Sequence, residues 1–488
     1  MAVYNFDGDA GDTLESAFPT GSIPDNAEIN IKRGTTVTGT LPSTTDTWQG
    51  VHNGSVTIRP YGSGSAEARI YTRNGFVGDG INGLLDVADV TIEQNISGSF
   101  DATANCLKTT GNGGSELAAT LIALRVRTIN WDVAIKPAGD DSSVSYCSIE
   151  DCTKGYINVS GASTDGKTPK NGYIGHNTCF SSRMTGNGAG DGIAIHDGKV
   201  GDFGGTGWIV EHNDVDMQYA KENCYDLQVW FPGAIFRYNI ARRANQFAYT
   251  FGDGGGTGAT ATRTQVYGNI AAAGCRGGFN CEQNMDVFAN FALGITYSTA
   301  GGAAPSCMRV NATGIDVELA YNYLEAVSPG AQTAKGVITI TSATNGSVRM
   351  RNNVLVQNGS GNMPIFHSVN AGYVWGAVSN NRLVQLFNTA QVGRRGNGGT
   401  MLNLASWQAL GNDVTGTAPL LNSTAYAALG LNGYLPGKVW STLIGSGILV
   451  PGCTVDARGR RRFNPPSIGP WELARGRAPS LLPRRDAS

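Results

Sequence analysis

A short phrase of alternating apolar and polar positions recurs along the middle of the chain. An apolar residue is followed three positions later by Asn, as in Val210 to Asn213 and Phe236 to Asn239. This period-2 pattern predicts a short strand with one buried face. We predict that the Asn occupies a left-handed bend ending the strand, a conformation that Asn tolerates. An early, weaker copy ends at Asn177, and the clear copies end 21 to 32 residues apart at Asn213, Asn239, Asn269, Asn290, Asn322, Asn353 and Asn381.

A second set of short strands can be aligned between these copies. Each of its members is a three-residue segment with apolar or aromatic ends. The segments are residues 133–135, 157–159, 193–195, 227–229, 249–251, 279–281, 308–310 and 338–340. No unit of this size buries its own apolar face, whereas stacking successive units does so. The sequence therefore predicts a solenoid of stacked coils. Its best helix candidate, residues 402–410, lies outside the repeats.

Three stretches resemble the right-handed parallel β-helix proteins of the pectin-lyase-like family. The first joins the phrase INIKRG at residues 29–34 to VTIRPYGSG at residues 56–64, and the second is the repeat itself. The third runs from DARGR at residues 456–460 to IGPWE at residues 468–472 and is similar to the closing segment of bacterial and phage β-helix proteins. The resemblance implies an all-β, single-stranded right-handed parallel β-helix with a less regular C-terminal segment. We expect a cap at residues 1–28, the β-helix at 29–390 and a capping or assembly segment at 391–488.

Composition and charge exclude several functional classes. The net charge of −2 and the 15% share of charged residues argue against a nucleic-acid binder, which would carry a basic face. No run of about 18 apolar residues is present, so no membrane span is expected. The N-terminal residues lack the pattern of a classical secretory signal. The nine cysteines are odd in number and form no CxxC pair, which disfavours a zinc site or a dense disulfide framework.

Candidate chemistry gathers on one predicted outer surface. The positions directly after the second-set strands include His196, Trp230 and Glu282, and the next column includes Asp197 and Asp253. Paired carboxylates across a groove are what glycoside hydrolysis requires, and an aromatic ring offers a platform for a sugar. The predicted catalytic residues are His196, Asp197, Asp253 and Glu282. The predicted substrate-binding residues are Trp230, Arg237, Asp191 and Asp226.

Structural roles compete with each of these assignments. Asp191, Asp197 and Asp253 each precede Gly and fit turn positions. Trp230 also fits half-buried packing, and His196 fits a polar residue whose bonds are satisfied locally. Family lyases use Lys or Arg as the base, which makes Arg237 a candidate base; the alternative is a solvated surface charge.

No cofactor or metal is expected from the sequence. Glu222 and Asp226 are oxygen ligands of the kind that Ca²⁺ prefers, but they lie in no loop of recognisable ligand spacing. The Gly-rich residues 252–258 lack the Lys of a phosphate loop.

The resemblance favours a phage tailspike-like virion protein that binds a bacterial surface polysaccharide, with cleavage by hydrolysis or elimination left open. It implies a homotrimer in contact with other virion proteins, located on the virion outside the cell. Two alternatives remain. One is a non-catalytic structural or decoration protein of a virion, and the other is a secreted bacterial polysaccharide lyase. The early start of the β-helix phrases leaves little room for a separate head-binding domain, which weighs against direct attachment to a virion.

Overall fold

The computed structural model describes residues 2–41, 47–50, 54–79, 83–95, 105–110, 119–160, 168–181, 190–196, 206–218, 222–228, 231–253, 262–296, 306–311, 313–327, 335–341, 343–358, 363–385, 392–412, 447–464 and 466–468. The chain forms two compact units. The first comprises Met1–Gly256 and Thr260–Thr264, and the second comprises Thr257–Ala259 and Gln265–Ser488.

The first unit contains short strands, a 3-10 turn at Gly8–Ala10 and a one-turn helix, α1, at Leu14–Ala17. Its strands, in chain order, are β1 (Ala2–Phe6), β2 (Ser22–Ile23), β3 (Ala27–Lys32), β4 (Thr36–Gly39), β5 (Trp48–Gly50), β6 (Ser55–Tyr61), β7 (Ala68–Thr72), β8 (Phe76–Asp79), β9 (Leu84–Ala88), β10 (Val90–Gln94), β11 (Asn105–Thr110), β12 (Thr120–Leu124), β13 (Arg127–Ile129), β14 (Val133–Lys136), β15 (Ser143–Ser145), β16 (Ser148–Glu150), β17 (Gly155–Ser160), β18 (Tyr173–Gly175), β19 (Thr178–Phe180), β20 (Ile193–His196), β21 (Ile209–Glu211), β22 (Asp214–Asp216), β23 (Tyr225–Gln228), β24 (Ile235–Arg237), β25 (Ile240–Arg242) and β26 (Tyr249–Asp253).

The second unit continues the same pattern and carries the helix α2 at Leu404–Ala409, within the predicted helical segment. Its strands are β27 (Thr264–Tyr267), β28 (Ile270–Ala271), β29 (Phe279–Cys281), β30 (Met285–Phe288), β31 (Phe291–Thr296), β32 (Met308–Val310), β33 (Val317–Ala320), β34 (Tyr323–Val327), β35 (Ile338–Ile340), β36 (Val348–Arg351), β37 (Val354–Asn358), β38 (Phe366–Ser368), β39 (Val378–Ser379), β40 (Arg382–Gln385), β41 (Gly393–Arg395) and β42 (Met401–Leu402). None of the described helices is long and apolar enough to cross a membrane.

Each unit winds its strands into three parallel sheets. In the first unit, the first sheet runs β1-β3-β6-β9-β12-β15-β18-β21-β24, the second β4-β7-β10-β13-β16-β19-β22-β25 and the third β2-β5-β8-β11-β14-β17-β20-β23-β26. In the second unit the corresponding orders are β27-β30-β33-β36-β39, β28-β31-β34-β37-β40 and β29-β32-β35-β38-β41-β42, with only the β41–β42 pair antiparallel among the described strands. This arrangement confirms the predicted all-β parallel β-helix.

A buried column of Asn side chains joins the coils where the first sheet turns into the second. In the first unit, the Asn177 amide donates to Asn213 Oδ1 at 2.8 Å, and the Asn213 amide donates to Asn239 Oδ1 at 2.9 Å. In the second unit, Asn269, Asn290, Asn322, Asn353 and Asn381 are joined in the same way. The other members of the column also bind a backbone carbonyl of the preceding coil, as Asn213 does with Ile174 at 3.0 Å, whereas the amide of Asn269 binds the Tyr267 carbonyl of its own coil. The Asn column therefore satisfies backbone groups that the bend leaves without strand partners.

The predicted left-handed conformation of these Asn residues is wrong by one position. The residue before the Asn adopts it: φ is 60° at His176, 56° at His212 and 58° at Tyr238. The Asn itself must turn its side chain inward to bind adjacent coils, so the bend falls on its predecessor. That predecessor points its side chain outward, which explains why this position accepts rings.

The interior of the coils contains aliphatic and aromatic side chains together with the cysteines. All nine cysteines are buried and none forms a disulfide. Burial raises the pKa of the Cys147 thiol to about 12. These residues act as small apolar side chains of the core.

Candidate functional site

The outer face of the third sheet in the first unit carries two of the predicted residues on adjacent strands. In β20 the two isoleucines are fully buried and point into the coil, so His196 faces outward. In β23 Asp226 lies on the same outer face, because its neighbours Tyr225 and Leu227 are the buried inward residues. Ala194 pairs in register with Asp226. Asp226 is therefore the diagonal neighbour of His196 on the following coil.

His196 and Asp226 form a direct contact. The His196 Nε2 atom lies 2.7 Å from Asp226 Oδ2, and the exposed fractions of the two side chains are 21% and 0%. The other carboxylate oxygen, Asp226 Oδ1, is buried and accepts no hydrogen bond. A buried carboxylate in this position favours the tautomer with the proton on Nε2, which leaves the lone pair of the neutral ring on Nδ1.

Asp191 is the second carboxyl group beside His196. Its Oδ2 atom lies 3.9 Å from His196 Nε2. Burial, the negative charge of Asp226 and a hydrogen bond between the two carboxyl groups raise the pKa of Asp191 well above its usual range. The charge of His196 and the backbone amide of Asn223 act in the opposite direction. Asp191 therefore keeps its proton at pH values where an exposed Asp is ionised.

Asn223 ties Asp191 to the following coils. Its backbone N–H and its side-chain amide both donate to Asp191 Oδ1, each at 3.0 Å. Its own Oδ1 accepts from the backbone N–H of Phe247 and from the hydroxyl of Thr250, each at 3.1 Å. Asn223 and Thr250 are only 5% exposed. This chain of bonds fixes the position of Asp191 next to His196.

Gly192 allows the close approach of coils beneath the site. A Cβ atom added there would lie 2.6 Å from the carbonyl oxygen of Cys224 and 2.6 Å from Val215 Cγ1. Gly192 is not among the glycines with positive φ. Gly192 is therefore required for close packing and not for a left-handed backbone conformation.

Arg237 lies on the first sheet, on a different face from His196. Its Nε donates to the Glu211 carboxylate, which also accepts from the Tyr173 hydroxyl at 3.1 Å. Burial alone would raise the pKa of Glu211, but the hydrogen bond and the charge of Arg237 outweigh it and hold that pKa below its usual range. The structure thus gives Arg237 an ion pair within the first sheet.

Glu282 belongs to the second unit, where it follows β29. Its Oε1 atom accepts hydrogen bonds from the amides of Asn280 at 3.0 Å and Asn311 at 2.7 Å, and from Arg309 Nη2 at 3.2 Å. These donors come from its own coil and the next one. They hold the carboxylate on the outer face of the third sheet of that unit.

The other predicted residues are less fully described. Asp253 ends β26 and pairs in register with Gln228 after an irregularity in the strand pair. Asp197 and Trp230 lie outside the described residues.

The alignment of third-sheet strands made from the sequence differs from the register in the structure by two residues at two strands, β14 and β23. It set Ile195 level with Val229, whereas the structure pairs Ile195 with Leu227. A shift of two keeps the same side chains outward but moves them about 7 Å along the strand. The position level with His196 therefore passes from Trp230 to Gln228. The same shift brings Asp226 from the segment before the strand into the strand itself.

The corrected register also reveals a pair of lysines that the sequence argument did not assign to the site. Lys108 pairs with Lys136. Ile135 pairs with Ile157, so Lys136 comes level with Asn158, which pairs with Ala194 beside His196. Lys136 directly follows a third-sheet segment in the sequence and could have been found. The sequence alignment misplaced β14 by two residues and so set Lys136 level with Ser160.

Two sets of described side chains have ligand atoms within 4.8 Å of one another and could hold a metal ion. One is Asp191, His196 and Asp226, and the other is His176, Glu211 and His212. In the second set the two imidazoles are stacked, with centroids 4.7 Å apart and planes within 9°. Parallel rings direct their lone pairs in parallel, so joint coordination there would require one ring to rotate.

Comparison with known proteins gives similarity at the level of solved structures. No protein-family model and no curated protein matches the chain. One similar structure is a mannuronic-acid-specific polysaccharide family 6 lyase from the human gut microbiota, with 14% identity, a TM-score of 0.44 and coverage of 79% of this chain and 86% of that chain. Another is a PL6 alginate lyase in complex with a trisaccharide, with 11% identity, a TM-score of 0.42 and coverage of 76% and 86%.

Proposed function

We propose that the protein binds an acidic polysaccharide on the outer face of the third sheet of the first unit and cleaves it by β-elimination, with His196 as the base. The contact between His196 and the buried Asp226 carries this proposal. It pairs an accessible imidazole with an inaccessible carboxylate, which is the arrangement that orients a general base.

The exposure of the three side chains favours elimination over a hydrolysis that uses two carboxylates. Hydrolysis requires one carboxyl group on each side of the glycosidic bond. The Asp226 side chain is 0% exposed and that of Asp191 is 7% exposed, whereas 21% of the His196 side chain is exposed. Neither acid reaches a sugar ring without movement of the coil, so His196 is the member of this cluster that meets the substrate.

The proposed reaction is a proton abstraction next to a sugar carboxylate. His196 Nδ1 takes the proton from that carbon, the C–H electron pair forms a C=C bond, and the glycosidic C–O bond breaks. The departing oxygen takes a proton from water. Asp226 stabilises the imidazolium that forms at His196, and Asp191 stays protonated and adds no second negative charge beside the substrate.

Lys136 and Lys108 extend this surface with positive charge. Lys136 makes no ion pair with any carboxylate of the described residues. It lies two strands before β20, about 10 Å away across the sheet. A lysine there is placed to bind the carboxylate of a neighbouring uronate unit, which accounts for the choice of an acidic polysaccharide.

The proposal also includes the finer assignment suggested by the family resemblance. In it, the protein is a tailspike-like component of a phage virion, assembled as a homotrimer and directed at a bacterial surface polysaccharide. Its support is the similarity of the closing phrases, at residues 456–460 and 468–472, to the closing segment of bacterial and phage β-helix proteins. Static light scattering tests it: a mass three times that of the chain agrees with the assignment, and a monomer contradicts it.

A substrate screen with two readouts tests the reaction. The protein is incubated with polyuronates and acidic bacterial surface polysaccharides, and both ultraviolet absorbance and reducing ends are followed. Elimination produces an absorbing C=C bond with each new end. New reducing ends without absorbance would indicate hydrolysis and contradict the proposed chemistry. Retention on an immobilised polysaccharide without any cleavage would support binding but contradict the proposed chemistry, whereas neither retention nor cleavage would favour the non-catalytic structural alternative.

A further inference from the structure

The third sheet of the second unit ends with an outward-facing pair, His367 and Arg394. The two residues are register partners on β38 and β41. Phe366 stacks on the Trp407 ring at 5.2 Å, and a Cβ at Gly393 would lie 2.1 Å from that ring, so these neighbours point inward. Because side chains alternate along a strand, His367 and Arg394 lie together on the opposite, outer side.

Arg394 is a buried cation without a counter-charge. It is 6% exposed, and no carboxylate of the described residues forms an ion pair with it. Its Nε donates to the carbonyl of Gly399 at 3.0 Å, while its Nη1 is buried and makes no hydrogen bond. A buried charge that is neither paired nor fully hydrogen-bonded costs several kcal/mol in general. Among the described residues, this guanidinium thus has no negative partner.

His367 adds a second unsatisfied donor beside it. The residue is fully buried, and neither ring nitrogen makes a hydrogen bond of acceptable geometry. Burial and the charge of Arg394 lower the pKa of His367 to about 4, with the nearby carbonyl of Gly396 acting in the opposite direction. The neutral ring at pH 7 keeps one N–H donor.

Thr339, the nearest described neighbour on the preceding strand, already has its own hydrogen bonds. Thr339, the register partner of His367 on the other side, accepts from Ser306 at 2.7 Å and from the backbone of Gly336 at 3.0 Å. It is therefore already engaged. A ligand here must supply negative charge and acceptor atoms, and it must be small, because both side chains are almost wholly enclosed.

We propose that His367 and Arg394 form a binding site for a small inorganic oxyanion of the sulfate or phosphate class. The ion accepts hydrogen bonds from Arg394 Nη1 and from the imidazole N–H, and it neutralises the guanidinium at the end of the sheet. Arginine suits this role because its planar group offers several donors to one oxyanion. The site lies in the second unit and is independent of the proposed cleavage of polysaccharide.

Thermal unfolding of the full chain tests the site. Melting temperatures are compared in sulfate, phosphate, acetate and chloride at equal ionic strength, for the wild type, Arg394→Gln and Arg461→Gln. Arg461 is exposed, so its variant removes the same charge from an open position. We expect sulfate or phosphate to raise the wild-type Tm by about 2–4 °C more than that of Arg394→Gln, through binding to the native state. Arg461→Gln should keep the full shift.

The difference between variants separates binding from the general stabilising effect of sulfate, which acts on every variant alike. In chloride, Arg394→Gln should melt no lower than the wild type, because it removes an uncompensated buried charge. Equal sulfate shifts in Arg394→Gln and wild type would overturn the proposal, and so would an acetate shift as large as that of sulfate. If Arg394→Gln fails to fold, His367→Gln and calorimetric titration of the wild type with sulfate decide the question: no heat of binding and an unchanged shift would overturn it.

Discussion

The carboxylate of Asp226 is inaccessible to solvent and lies 2.7 Å from Nε2 of His196. The His196 side chain itself is 21% exposed. One oxygen of that carboxylate binds the imidazole, while the other is buried without a hydrogen bond. An acid in this position cannot act on a polysaccharide directly. In the proposed mechanism it acts through the ring of His196, whose tautomer and charge it controls.

Asp226→Asn should therefore impair cleavage while leaving the coil in place. The Asn amide presents a donor to Nε2, which reverses the tautomer and removes the charge that stabilises the imidazolium. We expect the cleavage rate to fall about 10²–10⁴-fold. Asp214→Asn is the matched control, since Asp214 pairs with Arg242 on the second sheet of the same unit. A variant at 226 with full activity would exclude the orienting role.

Asp191 should make the stability of the protein depend on pH. Its pKa is raised in the folded state, so the folded protein binds its proton more tightly than the unfolded chain. The resulting stabilisation is complete below the unfolded pKa of about 3.9 and is lost as the pH rises through the folded pKa. Asp191→Asn mimics the protonated form. The Tm of this variant relative to the wild type should rise with pH above about 4, and parallel Tm profiles across pH 4–8 would contradict the assignment.

Asn213 should be essential for stability because it bonds in both directions along the Asn column. Its amide donates to Asn239 and to the Ile174 carbonyl, and its Oδ1 accepts from Asn177. Asn213→Ala leaves these buried groups without partners, at roughly 1–3 kcal/mol for each one. A denaturant titration measures the loss.

The control for that experiment is His212→Asn, at the adjacent outward position. Asn tolerates the left-handed conformation found there, so the change in stability should stay below about 1 kcal/mol. Similar losses in the two variants would mean that the bend, and not the Asn column, accounts for the effect.

Gly192→Ala should disturb the site through packing. The new Cβ would meet the Cys224 carbonyl and Val215 at 2.6 Å, which forces the coil that carries Asp191 and His196 to move. We expect a loss of about 1–3 kcal/mol and a lower cleavage rate. Gly372→Ala is the matched control, because its nearest neighbour would be the Asn370 side chain at 3.4 Å. Unchanged stability of Gly192→Ala would show that the coil relaxes easily there.

The sequence predicted the fold because the repeat carries its own period. The apolar residue three before each Asn and the third-sheet strands were both visible. The second sheet was not recognised, although its strands, such as Ile240–Arg242, begin directly after the Asn that was interpreted as the end of the repeat's strand. The Asn side chains were placed at the correct bend but given the wrong role, because bonding between coils is not visible in one repeat.

The site was predicted only in part because register between coils is not fixed by sequence when loops vary in length. His196, Asp191 and Asp226 were chosen as polar residues near one column, and the structure brings these three together. The two-residue error at β23 hid the direct contact of Asp226 with His196. Arg237 was assigned to the same region by its nearness in sequence, yet it lies on a different sheet and pairs with Glu211.

The central claim is that His196 is the base of a polysaccharide-cleaving site, and a comparison of two histidine variants tests it most directly. Initial rates of product absorbance are measured for His196→Gln and His176→Gln on the best polysaccharide of the screen. His176 stacks on Tyr146 with centroids 4.6 Å apart, away from the third sheet. The account predicts a loss of at least about 10²-fold for His196→Gln and wild-type rates for His176→Gln. A His196→Gln variant that folds and cleaves at the wild-type rate would contradict it.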